Sequence, residues 1–432
     1  MAALSSGGGT DEAPADVLQR ARALIVIAEV ESTRGKGEAR LALEAVDQAQ
    51  RLLDALPGPQ GLEAASYFKA LGAAAFWRGQ IQFDQGDLAA ASRAMGRYRA
   101  ACESWLQAMP GDATALAELG YALNSLGSIA MRRADWASAA QAFGDALALK
   151  QSLLRAQPAD AGLQEAVASS QTWLGLLARL RGQPQQALAL LDAAAAAQTA
   201  LHQARPGEVV RLHDLGVLQV RRAEALRDLG DRAAAAEAMD AAVSWLSRAA
   251  RHDPGNRRWQ LELAHAQASQ LQTSLEAGRP VDAAQLGSLQ QALAQREAPG
   301  DEALLQETRA RLLAAQALAA RQRADAGVAR EALAQSQALL QPLLAQRPLN
   351  WQLQELNARL WLLQLSPVTG RGDPSATRAD CARAVAALQP SVDSGQAGLV
   401  HAAWQMARRC AGPATPDAAR PPAAHPASTT TA

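Results

Sequence analysis

Apolar residues recur along this chain at i, i+4 and i+7, the spacing that puts them on one face of an α-helix. Ala139, Phe143 and Ala146 follow that spacing, as do Ala187, Leu191 and Ala194, then Ala235, Met239 and Ala242, with Ala91 and Met95 opening the same series. The series itself repeats, each member lying 48 residues after the one before. Prolines 110, 158, 206 and 254 keep the same interval, as do Gly86-Asp87, Ala134-Asp135, Gly182-Gln183 and Gly230-Asp231. A third set, Leu71-Gly72, Leu119-Gly120 and Leu215-Gly216, falls in the same register. Self-similarity at one fixed period is the mark of a repeat array.

Each unit divides into two helices. The first is expected to run to the Gly-Asp mark, for example over 113–133, and the second from that mark to the proline, over 136–157. Glycine at the junction supplies the left-handed conformation that ends a helix, and the aspartate after it accepts from the free N–H groups of the next one. Proline then closes the unit in turns such as Pro110-Gly111-Asp112 and Pro254-Gly255-Asn256.

These units resemble tetratricopeptide repeats. The residues that carry the resemblance are Leu126-Gly127, Asp135-Trp136, Ala139, Phe143 and Ala146-Leu147 in the second unit, and Leu174-Gly175, Gly182, Ala187, Leu191 and Ala194 in the third. The first unit has Gly79, Gly86-Asp87, Ala91 and Met95; the fourth departs at Arg222-Ala223 but keeps Gly230-Asp231. The usual unit is about 34 residues, so this longer form places its extra residues mainly in the second helix. It is similar to repeats of bacterial signalling proteins, including regions attached to serine/threonine kinases. The resemblance implies an all-α fold, a right-handed α-solenoid of antiparallel helix pairs. Its expected organisation is a disordered N-terminus over 1–14, a degenerate helix pair over 15–66, four repeats over 67–258 and degenerate repeats over 259–365. Capping helices over 366–410 and a disordered tail over 411–432 follow. Ala326-Gly327 and Pro348 mark one of the degenerate units.

Composition agrees with helix. The chain has 432 residues, of which 105 are alanines, and Ala is the strongest helix former. Lys+Arg and Asp+Glu are both 42, and this balance argues against a general nucleic-acid binder. No run of 18 apolar residues spans a membrane, and the N-terminus lacks a basic stretch followed by an apolar core. A cytoplasmic protein is therefore expected.

No catalytic or metal constellation is expected. The six histidines include no His-x3-His pair. His202 and His213 flank a turn and read as solvated helix ends. Gly35-Lys36-Gly37 lacks the spacing of a phosphate loop, and Arg371-Gly372-Asp373 reads as a plain turn. No cofactor is called for. Cys102 reads as a small core residue; Cys381 and Cys410 lie where an antiparallel hairpin would bring them close, as a disulfide or as reduced thiols.

In superhelical arrays of the resembled family, the first helices line a concave groove. Carried over residue by residue, that face holds Phe76, Trp77, Gln80 and Phe83 in the first unit. Tyr121, Asn124, Ser128 and Arg132 follow in the second, Trp173 and Arg179 in the third, and Arg221 and Glu224 in the fourth. Aromatics make up only 4% of the chain, so their concentration on one face suits a peptide groove. The lysine and asparagine clamp for chaperone C-terminal carboxylates is not matched, since Ser128 takes the asparagine position. The expected function is a non-catalytic scaffold that binds a protein, peptide or partner helix, as the docking or sensory part of a bacterial signalling or regulatory system. The alternative is an accessory region of a larger enzyme, such as a serine/threonine kinase, with its catalytic domain outside this chain. The partner's identity and the oligomeric state stay open.

Overall fold

A computed structural model describes residues 13–33, 39–59, 62–297, 300–366 and 378–411. Of the segments expected to be disordered, 1–14 and 411–432, residues 1–12 and 412–432 lie outside the described residues, as does the loop holding Arg371, while Pro14 begins a helix and Ala411 ends one. Among the described residues there are 17 helices and no strands. An N-terminal pair, α1 (Pro14–Thr33) and α2 (Ala39–Asp54), precedes the regular units. These are α3 (Ala64–Asp84) with α4 (Leu88–Ala108), α5 (Ala113–Arg132) with α6 (Trp136–Ala156), α7 (Ala161–Leu180) with α8 (Pro184–Ala204), and α9 (Val209–Asp228) with α10 (Arg232–His252). Then come α11 (Arg257–Glu276) with a short α12 (Ala283–Ala294), α13 (Glu302–Gln322) with α14 (Ala326–Gln346), α15 (Trp351–Leu365), and a closing pair, α16 (Arg378–Asp393) and α17 (Leu399–Ala411).

The repeated marks have physical causes. Asp87, Asp135, Asp231 and Asp325 each accept from the backbone N–H three residues on, at 2.9–3.1 Å, and so cap the second helix of their units. The residue before each is left-handed: Gly86, Ala134, Gly230 and Ala324 all have positive φ. The turn of the α13–α14 unit is thus Ala324-Asp325, two residues ahead of the Ala326-Gly327 mark. In the third unit Gln183 makes no side-chain cap, and Pro184 occupies the first helical turn instead.

Glycines on the first helices face the large apolar residue of the second. A Cβ on Gly127 would lie 2.8 Å from the Phe143 ring, one on Gly175 2.7 Å from Leu191, and one on Gly79 2.8 Å from Met95. In the fourth unit Ala223 stands in that register, packed with Met239. Ala91, Ala139, Ala187 and Ala235 are buried and let the paired helices approach closely.

The array does not end in an open spiral. Trp351 at the start of α15 packs against the cluster that holds Trp136 of α6 and Leu177 and Leu180 of α7. The Ala397 N–H, in the turn between α16 and α17, donates to the Leu180 carbonyl at 3.1 Å. The C-terminal helices therefore return to the third unit, and the inner faces of α7, α9, α11, α13 and α15 meet around one polar lumen. Cys381 and Cys410 form a disulfide across the α16–α17 hairpin, with Cα atoms 5.7 Å apart, and Cys102 is buried as a free thiol. No described helix is long and apolar enough to cross a membrane.

Candidate interaction surface

The residues expected on the groove face divide into three groups. In the first unit, Trp77 packs between α3 and the α1–α2 pair, beside Ile27. Phe76 lies edge-on to both Trp77 and the buried Tyr98. These two rings thus fill gaps between neighbouring helices. Gln80 is spent on Asp84 one turn along its own helix. Phe83 reaches the open face, where the exposed Arg132 guanidinium lies 4.0 Å over its ring, a cation–π contact joining the first helices of two units.

In the second and third units the face is more open. Tyr121 is 64% exposed and Trp173 41%. Trp173 stacks on Phe143 at 5.8 Å with an interplanar angle of 4°, so one ring face is buried and the other is presented outward. The Lys150 ammonium of α6 donates to the Asn124 side-chain oxygen at 3.5 Å and to the buried Ser170 at 2.8 Å; Lys150 thus ties Asn124 of α5 to α7. Ser128 is half-buried on the same helix.

A cavity of about 270 Å³ opens beside Trp173, between α7 and α9. Leu176, Val217 and Leu218 contribute its apolar lining, and Glu165, Thr172, His213, Asp214 and Arg221 its polar groups. His213 is not the solvated helix end expected: its ring stacks on Trp259 and bonds Glu262 at 2.6 Å. Burial would lower its pKa, yet the bonds to Asp214 and Glu262 outweigh that and hold it at about 9. The imidazolium is therefore a fixed positive charge at neutral pH. His202, also expected at a solvated end, is buried against Trp245, and burial together with Arg248 lowers its pKa.

The third group lies inside the lumen. Arg179 is 3% exposed and ion-paired to Asp228 at 3.1 Å, Glu224 at 3.4 Å and Glu355 of α15 at 2.8 Å. Arg221 pairs with Glu224 at 3.6 Å and lies 4.8 Å over Trp351. Further along, Arg227 and Arg359 each approach Glu276 at 3.8 Å, and Arg311 bonds Glu307 at 3.2 Å. Burial lowers the Arg359 pKa to about 10, helped by the like charge of Arg227. Burial likewise raises the Glu307 carboxyl and pushes the His265 imidazole well down, leaving it neutral. Arg179, Arg221 and Glu224 thus face their own chain.

Sequence reading missed Trp351, Glu355 and Arg359 as partners of that face. The available signal was their i, i+4, i+8 spacing, which places them on one stripe of the helix, apart from the Leu353, Leu356 and Leu360 stripe. Among the described residues no group of His, Cys, Asp or Glu could hold a metal ion.

No family model matches the sequence, and no curated protein matches it. Solved structures similar to this chain include tetratricopeptide repeat proteins. A tetratricopeptide repeat protein from Parabacteroides merdae is 15% identical, with 78% of this chain and 98% of that one covered and a TM-score of 0.39. A Rap protein complexed with Competence and Sporulation Factor is 12% identical, covering 81% and 91%, with a TM-score of 0.40. A thermophilic tetratricopeptide repeat protein of Thermus thermophilus is 17% identical, covering 59% and 98%, with a TM-score of 0.29.

Proposed function

We propose that the chain is a non-catalytic scaffold that binds a peptide or partner helix on the first-helix face of α3, α5, α7 and α9. The observation that carries this reading is the outward-facing Trp173 ring beside the cavity of about 270 Å³. A half-exposed aromatic next to an apolar recess with a charged rim is the usual form of an anchoring site. Tyr121 and the Phe83–Arg132 pair extend the same face across two further units. His213 supplies positive charge at the cavity rim, Glu165 and Asp214 negative charge, so a partner segment with an apolar anchor between charged residues suits it. A docking role in a bacterial signalling or regulatory system is the setting we favour.

The Cys381–Cys410 bond favours an oxidising compartment over the cytoplasm expected from the sequence, because cytosolic thiols are kept reduced. Alkylation of the protein at the moment of cell lysis, followed by mass spectrometry, checks this.

The binding test is affinity capture on the immobilised chain, compared with a Tyr121→Ala, Trp173→Ala double variant. Interface aromatics of this kind contribute about 2 kcal/mol each on truncation, so the double variant should lose its partner while keeping its melting curve. Undiminished capture by a folded double variant rejects the face.

A further inference from the structure

The lumen face of α7, α9 and α11 is already covered by a helix. α15 has three working sides. Leu353, Leu356 and Leu360 pack on α13 and α14, its neighbours in the array. Ala358, Trp361 and Leu365 pack on α16 and α17. The third side, Trp351, Glu355 and Arg359, reaches across to units far upstream. Trp351 lies under the Arg179 and Arg221 guanidiniums at 5.7 and 4.8 Å and against the α6–α7 cluster. Glu355 bonds Arg179, 176 residues away, at 2.8 Å, and Arg359 approaches Glu276 of α11 at 3.8 Å. The α16–α17 turn adds one backbone bond to Leu180 and lies close to Gly182, where an added Cβ would come 3.3 Å from the Ala397 methyl.

This third side is built differently from the other two. Leucine and alanine packing holds α15 to its own unit, whereas ion pairs and the single Trp351 ring, set against the α6–α7 cluster, hold it to α7, α9 and α11. Buried ion pairs return little net stability, because desolvation offsets their attraction. Several of the groups are also incompletely matched. The Arg179 Nε, Arg227 Nε and one Arg359 Nη are buried without a hydrogen-bond partner, and Arg227 and Arg359 share Glu276 without reaching hydrogen-bond distance. An interface of this kind specifies a mate and lets it go.

We infer that the inner face of α7, α9 and α11 is a helix-docking surface occupied in cis by α15 as a displaceable strap. The partner it fits is an α-helix presenting an aromatic ring, a carboxylate and a guanidinium at i, i+4 and i+8. The ring goes under Arg179 and Arg221, the carboxylate to Arg179, the guanidinium to Glu276. Such a helix competes with α15 and opens the closed array. This inference rests on the binding role proposed above only for the use of a peptide probe.

The test uses the full chain with two separate substitutions. Glu355→Arg sets a positive charge against Arg179. Trp351→Ala removes the stacked ring and leaves the leucine packing of α15 on α14 untouched. Each variant is examined by small-angle scattering and titrated with a fluorescent synthetic peptide of residues 350–366. Both variants should keep their helicity, show a larger radius of gyration than the parent chain, and bind the peptide at least tenfold more tightly than it does. The inference is overturned if the variants stay as compact as the parent, if they expand without binding the peptide, or if helicity collapses throughout, since α15 would then be a core helix. Scattering needs no partner, so a failure of the Trp173 face in capture experiments leaves this result standing.

Discussion

At the scale of single residues, the 48-residue mark is a steric pairing. Gly127 and Gly175 are small because Phe143 and Leu191 occupy the space a side chain would need. Gly175→Leu should lower stability by about 1–3 kcal/mol or more, the cost of overpacking, read as a lower denaturation midpoint. Ala134 and Ala324 show the converse. Both are left-handed, with φ of 55° and 59°, a conformation that costs an alanine roughly 1–2 kcal/mol. Ala134→Gly should therefore raise the melting temperature slightly, relief of strain exceeding the entropy of a freer unfolded chain. His213 titrates in the opposite sense to most buried groups. Its folded pKa of about 9 exceeds the unfolded value near 6.5. The stabilisation is complete below pH 6.5 and disappears as pH rises through 9. Melting measured from pH 6.5 to 9.5 should fall more steeply for the parent than for Glu262→Gln, which removes the partnering charge.

Among elements, caps and turns decide where helices begin, and burial decides which face they show. Asp135 caps α6 through the Ser138 N–H at 3.1 Å, so Asp135→Ala should cost about 1 kcal/mol in a chemical melt. Gln183, with no such bond, should be almost silent when changed to alanine. α12, only 12 residues long, departs from the regular second helices: Asp282 and Gln285 form a capping box, and the helix contributes Leu286 and Leu293 to the core shared by α11 and α13. The all-round burial of α15 was not visible in the sequence, because Glu355 and Arg359 read as ordinary solvent-facing charges until a remote helix is placed against them.

For the whole molecule, closure changes how the array should respond. An open solenoid frays from either end, since each unit touches only its neighbours. Here α15 and the α16–α17 turn tie the third unit to the last, so helices α7 to α17 form a loop of contacts while α1 to α4 stay outside it. Hydrogen exchange on the native protein should show α1–α4 opening first and α7–α17 exchanging together. Independent fraying of the C-terminal helices would contradict this.

The sequence by itself determined the helix pairs, their 48-residue period, the capped turns and the glycine-to-large pairing of each unit. These are local: every residue involved lies within about one unit of its partner, and the spacing alone brings the two together. Only the tertiary structure decided which of the first-helix positions remain open. Trp77 meets the α1–α2 pair, Asn124 meets Lys150, and Arg179, Arg221 and Glu224 meet each other and α15. The rotation accumulated from unit to unit sets where the chain's end returns. That sum over many small packing angles, and not any motif, brought Glu355 to Arg179 across 176 residues and left Trp173 and Tyr121 facing outward.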